Sequence, residues 1–385
     1  MISPSPPPPL PRKLPLWDIA AVAIVAALAA LLVLNVLANM ERAGIRPGFG
    51  FLSQTAGFDV SEALIAYAPE DSYARVILAG VLNTLFLSVV SLILATLVGL
   101  LIGLMSVGPS PVGRRLALWY VELFRNLPKL LILLVLFVAA VNGLPHVRQA
   151  ISLGPVHLSN RSIYFPLPVW NGRQWMLIAA VLLGLALSVL QHRTLTRMRE
   201  ANGNAPAFWP FALALVVGLP VGVAVLFQVP LVWSTPQLAG FDYQGGGRVS
   251  LQFMVIAATL GLYHGAQIGE VVRGGIESVS RGQIESALAL GLSPRQVMRF
   301  VVLPQAIRIV IPSMNNQYAN LIKNTSIAIA VGYSDLMSVA GTIINQTFRP
   351  LEMMALTMAI YLAICLLVTT ALNRINDRLR RTEGR

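Results

Sequence analysis

Eight stretches of mostly apolar residues, at 17–38, 76–105, 118–141, 175–190, 208–232, 251–272, 306–331 and 353–372, constrain this chain of 385 residues more than any motif does. A helix of about 20 apolar residues spans the hydrocarbon core of a bilayer, where no water is present to satisfy an open backbone. The runs therefore predict an all-α integral membrane protein with about eight transmembrane helices. Composition agrees: 56% of the residues are hydrophobic and 11% charged, with a mean hydropathy of +0.71, outside the balance of a soluble domain. The first run is too long for the apolar part of a signal peptide and no small-residue cleavage site follows it, so it reads as a retained anchor. The head, MISPSPPPPLPRKLPL, is too rich in proline for regular structure and reads as a tail over 1–16.

Basic residues fix the expected orientation. With the N-terminus inside and eight crossings, Arg12, Lys13, Arg114, Arg115, Arg193, Arg197, Arg199, Arg273, Arg281, Arg295, Arg299 and the basic tail 374–385 fall on one side, while 41–75 on the other side is net acidic. The basic side is expected to be cytoplasmic. The formal net charge of +12 then reflects loops beside anionic lipid headgroups, and no nucleic-acid partner is needed to account for it.

Several chemistries are missing. No Gly-x-x-x-x-Gly-Lys-Ser/Thr phosphate loop occurs, so ATP is not expected to bind this chain. His146, His157, His192 and His264 are scattered and the single cysteine, Cys365, lies in an apolar run. No catalytic cluster, metal site or cofactor site is expected.

One basic, amphipathic stretch, ESALALGLSPRQVMRFVVLP at 285–304, interrupts the apolar runs. Ile284, Ala287, Leu288 and Gly291 follow helical spacing, and Gly291 is a natural stop. Ser293 is a good N-cap, Pro294 suits the first helical position and Gln296 completes a Ser-x-x-Gln capping box. A second short helix is expected through Arg295 and Arg299 to Val302, with a break at Pro304. The two helices form an elbow that is either a plain connector or a rigid contact surface.

Glu285, Ser286, Ala287, Gly291, Val301, Leu303 and Pro304 fit the pattern E-A-A, three residues, G, nine residues, I-x-L-P, with serine for one alanine and valine for the isoleucine. The stretch resembles the EAA loop of permease subunits of bacterial ABC importers. Its flanks, LGLYHGAQIGEVVRGGIESV at 260–279 and PQAIRIVIPSMNNQYANLIKNTSIAIAVGYSDLM at 304–337, together with GVLNTLFLSVVSLILATLVGLLIGL at 80–104 and YVELFRNLPKLLILLVLF at 120–137, resemble the histidine-, glutamate- and glutamine-type permeases. An insertion over 142–250 with two extra spans resembles the larger permease of general L-amino-acid importers. Lys129 departs from that pattern, which has an apolar residue after "RN-x-P".

The resemblance implies a type I ABC importer permease core in two parts, 76–141 and 251–385, preceded by a first helix and outer loop over 17–75. It implies a coupling loop at 282–304 in which Glu285, Ser286, Ala287, Gly291, Ser293, Arg295, Arg299, Leu303 and Pro304 meet a cytoplasmic ABC ATPase dimer. A second, homologous permease and a periplasmic amino-acid-binding protein complete the implied assembly in the bacterial inner membrane. The alternative is an ion-coupled secondary amino-acid transporter, which calls for broken helices around a midplane site and often inverted repeats; no repeat between the halves is visible.

Polar residues inside the runs mark further candidates. Glu122, Arg125 and Lys129, spaced i, i+3 and i+7, are expected to form an interfacial ion pair at a helix mouth, as are Glu270 and Arg273. In the seventh run Ser313, Asn316, Gln317, Asn320, Lys323 and Asn324 share one third of a helix circumference, opposite Val310, Ile311, Met314, Tyr318, Leu321 and Ile322. That face either lines a substrate path or joins helices through hydrogen bonds.

Overall fold

The computed structural model describes residues 16–42, 48–169, 172–203, 206–230 and 232–383. The proline-rich tail at 1–15 lies outside the described residues. Among the described residues seven helices are long and apolar enough to cross a membrane, or eight when one bent pair is taken as a single span. α1 (Leu16–Arg42) is exposed almost throughout.

The core is built on α2 (Tyr73–Val107) and α8 (Leu251–Glu277), which pack along their length. Glycines make that approach possible. A Cβ at Gly99 would lie 2.4 Å from Ile268 Cγ2, and one at Gly265 would lie 2.7 Å from Val98 Cγ1; at Gly103 and Gly261 the nearest atoms would be 2.6 and 2.9 Å away. Where lipid is as apolar as leucine, helix association comes from such close van der Waals contact between small residues. Leu87, Ile256, Leu260 and Ile268 are fully buried beside the seam.

The third run is not one straight span. α3 (Pro111–Asn126) and α4 (Lys129–Gly143) meet at 103°. Pro128 has no N–H to continue the ladder and drives Leu127 into extended backbone (ψ 137°), whose N–H still returns to Leu123 O at 3.2 Å. α3 is amphipathic and buries Ala117 and Val121 against α2, and α4 packs on α8.

The inserted region carries short antiparallel strands that the apolar runs did not foretell. β1 (Ile151–Leu153), β2 (Val156–Leu158), β3 (Ser162–Phe165) and β8 (Gly247–Ser250) form one sheet in the order β1-β2-β3-β8; β4 (Leu167–Pro168) pairs with β5 (Trp233–Ser234), and β6 (Gln237–Ala239) with β7 (Asp242–Gln244). The β3–β8 register, from Ser162↔Ser250 to Phe165↔Gly247, holds the two ends of the region side by side. Between them α5 (Trp175–Asn202) packs on a broken helix made of α6 (Phe208–Leu213), a π-turn over Ala214–Gly218 and α7 (Leu219–Leu226). The fifth span therefore ends at Leu226, short of 232, and the fourth runs well past 190.

After α8 the chain forms α9 (Arg281–Ala289), α10 (Pro294–Val297), a π-turn over Met298–Val302 and α11 (Leu303–Asn324), then a 3-10 segment, Thr325–Val331. α12 (Leu336–Thr347), too short to cross a bilayer, is capped by Asp335, whose side chain accepts from Ser338 N at 2.9 Å. α13 (Pro350–Glu383) ends the described chain. The fold is mainly helical, as expected, with these short strands added in the inserted region.

Candidate functional site

The elbow forms as its caps require. Gly291 has φ +81° and open space around its missing Cβ, so backbone conformation and not crowding selects glycine there. Gly291 N donates to Leu288 O at 2.9 Å and Leu292 N to Ala287 O at 3.2 Å, closing the end of α9. Gln296 Oε1 accepts from Ser293 N and Ser293 Oγ, both at 2.8 Å.

The predicted break at Pro304 does not occur. Pro304 sits in the first turn of α11, where a missing N–H costs little, and the preceding π-turn shifts the hydrogen-bond register ahead of it. α10 thus runs through the π-turn into α11 as one rod. The elbow's inner face, Ala287, Val297 and Val302, is buried in a cluster with Ile268, Val272 and Ile276 of α8. Its outer face exposes Glu285, Ser286, Ser293, Arg295, Arg299 and Leu303, with Pro304 half-buried. Leu290, 83% exposed at the bend, and Phe300, under the Arg299 guanidinium at 5.5 Å, belong to the same surface. Sequence reasoning passed over both; an apolar residue directly before the capping glycine was the available signal for Leu290.

The ionic expectations divide. Arg273 bonds Glu270, as predicted, and also Glu277 at 2.9 Å. Glu122, Arg125 and Lys129 form no ion pair: Glu122 accepts from Asn126 Nδ2 at 3.1 Å, and the bend at Pro128 carries Lys129 away. Lys129 Nζ instead donates to Asn324 Oδ1, and Asn324 Nδ2 lies 3.1 Å from His264 Nε2. His264 is buried, with Nδ1 unpartnered. This three-helix junction of α4, α8 and α11 escaped the sequence because its members lie 60 and 195 positions apart.

The polar face of α11 is consequently split. Met314, Leu321 and Ile322 are buried as the opposite face should be. Asn316, Asn320 and Lys323 are exposed, Ser313 Oγ turns to Ile309 O at 3.1 Å, and Gln317 is half-buried. Lys323 borders a cavity of about 610 Å³ against α13, beside Thr357, Tyr361 and Cys365, while Asn324 alone faces the junction with Lys129. No group of His, Cys, Asp and Glu suited to a metal occurs among the described residues.

A bundle of membrane-spanning helices with a rigid, capped elbow and a polar helix running inward from it has the architecture of a transport protein. The family of binding-protein-dependent transport system inner membrane components matches residues 204–382. YhdX of Escherichia coli (strain K12) is 37% identical over 366 residues, 94% of this chain and 93% of that one. The general L-amino acid transport system permease protein AapQ of Rhizobium johnstonii is 37% identical over 351 residues, covering 91% and 88%. The glutamate/glutamine/aspartate/asparagine transport system permease protein BztB of Rhodobacter capsulatus is 35% identical over 382 residues, covering 91% and 89%. The chain belongs to this family of inner membrane components, as a permease and not an enzyme.

Proposed function

We propose that this chain is the translocation subunit of a binding-protein-dependent ABC importer of L-amino acids, polar or broad in range, driven by ATP hydrolysis on a separate subunit. The observation that carries the proposal is the elbow. Its caps fix α9 against α10, its exposed Glu285, Leu290 and Arg299 present a contact surface, and the rod from α10 into α11 connects that surface to the polar residues of α11. An ATPase dimer docked on α9 and α10 would therefore move α11 as a lever. In this reading the elbow faces the cytoplasm, the N-terminus lies on the same side, a second homologous permease pairs with this one, and a binding protein delivers substrate from the opposite side. The insertion over 142–250 is a module added to the 76–141 and 251–385 core. Asn316, Asn320, Lys323 and Asn324 contribute to the path, with Lys129 and His264 joined to it through Asn324; amides and an ammonium can replace part of the hydration of a travelling carboxylate and ammonium. No observation favours the ion-coupled alternative.

The test uses the assembled complex in proteoliposomes. Gly291→Val strains the left-handed cap and Glu285→Arg reverses a charge on the contact surface. Both should leave assembly intact and lower transport-stimulated ATP hydrolysis and uptake by about tenfold or more, a loss equivalent to about 1.4 kcal/mol of coupling. Normal uptake by both variants would reduce the elbow to a connector. Asn320→Leu and Lys323→Met should impair uptake per complex, or change which amino acids enter, without changing yield; the reverse outcome would make that face structural.

A further inference from the structure

At the end of the bundle opposite the elbow, the inserted sheet and the loop before α2 enclose a pocket of about 380 Å³ that the transport reading does not use. Its size falls within the range of ligand sites, roughly 300–1,000 Å³. The floor is apolar, made by Phe137 and Val141 of α4 and Leu251 of α8, and the walls carry Asp242, Arg248 and Arg161. Tyr164, only 2% exposed, donates its hydroxyl to Asp242 Oδ1, and Tyr243 N donates to the same oxygen at 2.8 Å. Burial and the neighbouring Asp242 push the Tyr164 phenol up to about 12, which keeps it a donor that fixes the carboxylate.

The lining charges are not closed into tight pairs, although the Glu62 carboxylate outside the lining also acts on Arg248. Arg248 Nη1 stands 4.0 Å from Asp242 Oδ2, the edge of ion-pair distance, with both side chains about half exposed, while its Nη2 donates to Ser61 O at 3.1 Å. The pair Arg273–Glu277 closes to 2.9 Å by contrast. Arg161 pairs with no carboxylate among the described residues, and the Asn160 Oδ1 beside it is buried without a partner. Two guanidiniums and one carboxylate above an apolar floor match an α-amino acid with a second carboxylate: Asp242 for its ammonium, the arginines for its two acids, the floor for its methylenes. The position is apt as well. Val141 and Leu251 lie on the same two helices as Lys129 and His264, about 18 Å away along α4 and about 20 Å away along α8 at about 1.5 Å per residue.

We propose that this pocket is an outer station for acidic L-amino acids, above the inner junction of Lys129, His264 and Asn324. The proposal rests on the amino-acid permease reading. Its test is equilibrium binding of radiolabelled L-glutamate to the permease–ATPase complex in nanodiscs without binding protein. Arg161→Gln and Asp242→Asn should each weaken binding about tenfold or more, as loss of one charged contact does, with an unchanged thermal transition. Asp242→Asn should leave competition by glutarate, which has both carboxylates and no ammonium, unaffected. Absence of glutamate binding to the unaltered complex, or equal binding by the variants, would overturn the station. Normal glutamate binding with impaired docking of the binding protein would reassign the pocket to a protein contact, and overturn it too. Failure of the unaltered complex to take up any amino acid would instead sink the permease reading, so the two failures are distinguishable.

Discussion

The α2–α8 seam and the hairpin of α5 with α6–α7 are both made of membrane-spanning helices, yet they are built on opposite terms. α8 is the least hydropathic of the seven spans and the most buried, with 67% of its most apolar stretch inside the protein; the corresponding shares are 17% for α5 and 6% for the α6–α7 span. A helix facing lipid must be apolar all round, whereas a helix facing other helices can carry glycines, a histidine and a threonine, provided they pack or bond. In the seam glycines are interlocked with side chains opposite. In the hairpin Gly184 meets Leu215 O closely, with a built Cβ only 2.4 Å away, but Gly218 and Gly222 face open space. Hydropathy finds both regions; side-chain size separates them.

The largest expected effect follows from that contrast. Gly265→Leu drives a branched side chain into Val98 and should cost about 3 kcal/mol or more, lowering yield of assembled complex severely. Gly222→Leu fills space that is open in this chain and should be tolerated. Equal losses in membrane yield and detergent melting for the two variants would erase the contrast between seam and hairpin, and would place a partner helix on Gly222.

A moderate effect is expected from removing the hairpin. Val169 N donates to Val232 O at 2.7 Å, so the chain on either side of the hairpin is already in register. Replacing 170–231 by an Asn-Gly turn, which favours tight hairpins, should leave a core that inserts and assembles, with melting lowered by a few degrees, on the order of 1 kcal/mol. Loss of the core from the membrane would show that the hairpin supports the seam.

The smallest effect concerns pH and the polar rim of the core. Burial pushes the carboxyl of Asp335 up to about 6, against the hydrogen bonds from Ser338 and Met337 that pull it down, and Glu62 is raised by the same cause. The folded state then holds a proton that the unfolded chain releases at about pH 4, so stability declines as pH rises through the window from about 4 to 6 and is level above it. Asp335→Asn keeps a cap for α12 and should flatten the rise in melting temperature expected on acidifying from pH 7 to about 5, without abolishing it, because Glu62 shifts in the same sense. An unchanged slope would mean that the rim is as wet as the outside of the hairpin.

What could be foreseen in the molecule was local. Apolar runs gave the spans because a helix needs only its own residues to satisfy its backbone in lipid. The elbow was readable down to Gly291, Ser293 and Gln296, since caps are set by neighbours within four positions. The bend at Pro128 had its signal too, but an apolar run on both sides masked it. The strands did not, being two to four residues long and stabilised by pairing, such as Phe165 with Gly247, across a whole inserted hairpin.

Sequence by itself determined that this chain lives in a membrane, to within one span how often it can cross, and where a capped elbow interrupts it. Tertiary structure alone decided that Lys129 leaves Glu122 for Asn324, that Asn324 parts from Asn316 and Asn320 to meet His264, and that Arg161, Asp242 and Arg248 surround one pocket. The physical reason is the same in each case: a charge or amide in or near the membrane takes whichever partner packing brings within reach, and packing between helices is fixed by the fit of small residues against large ones far along the chain.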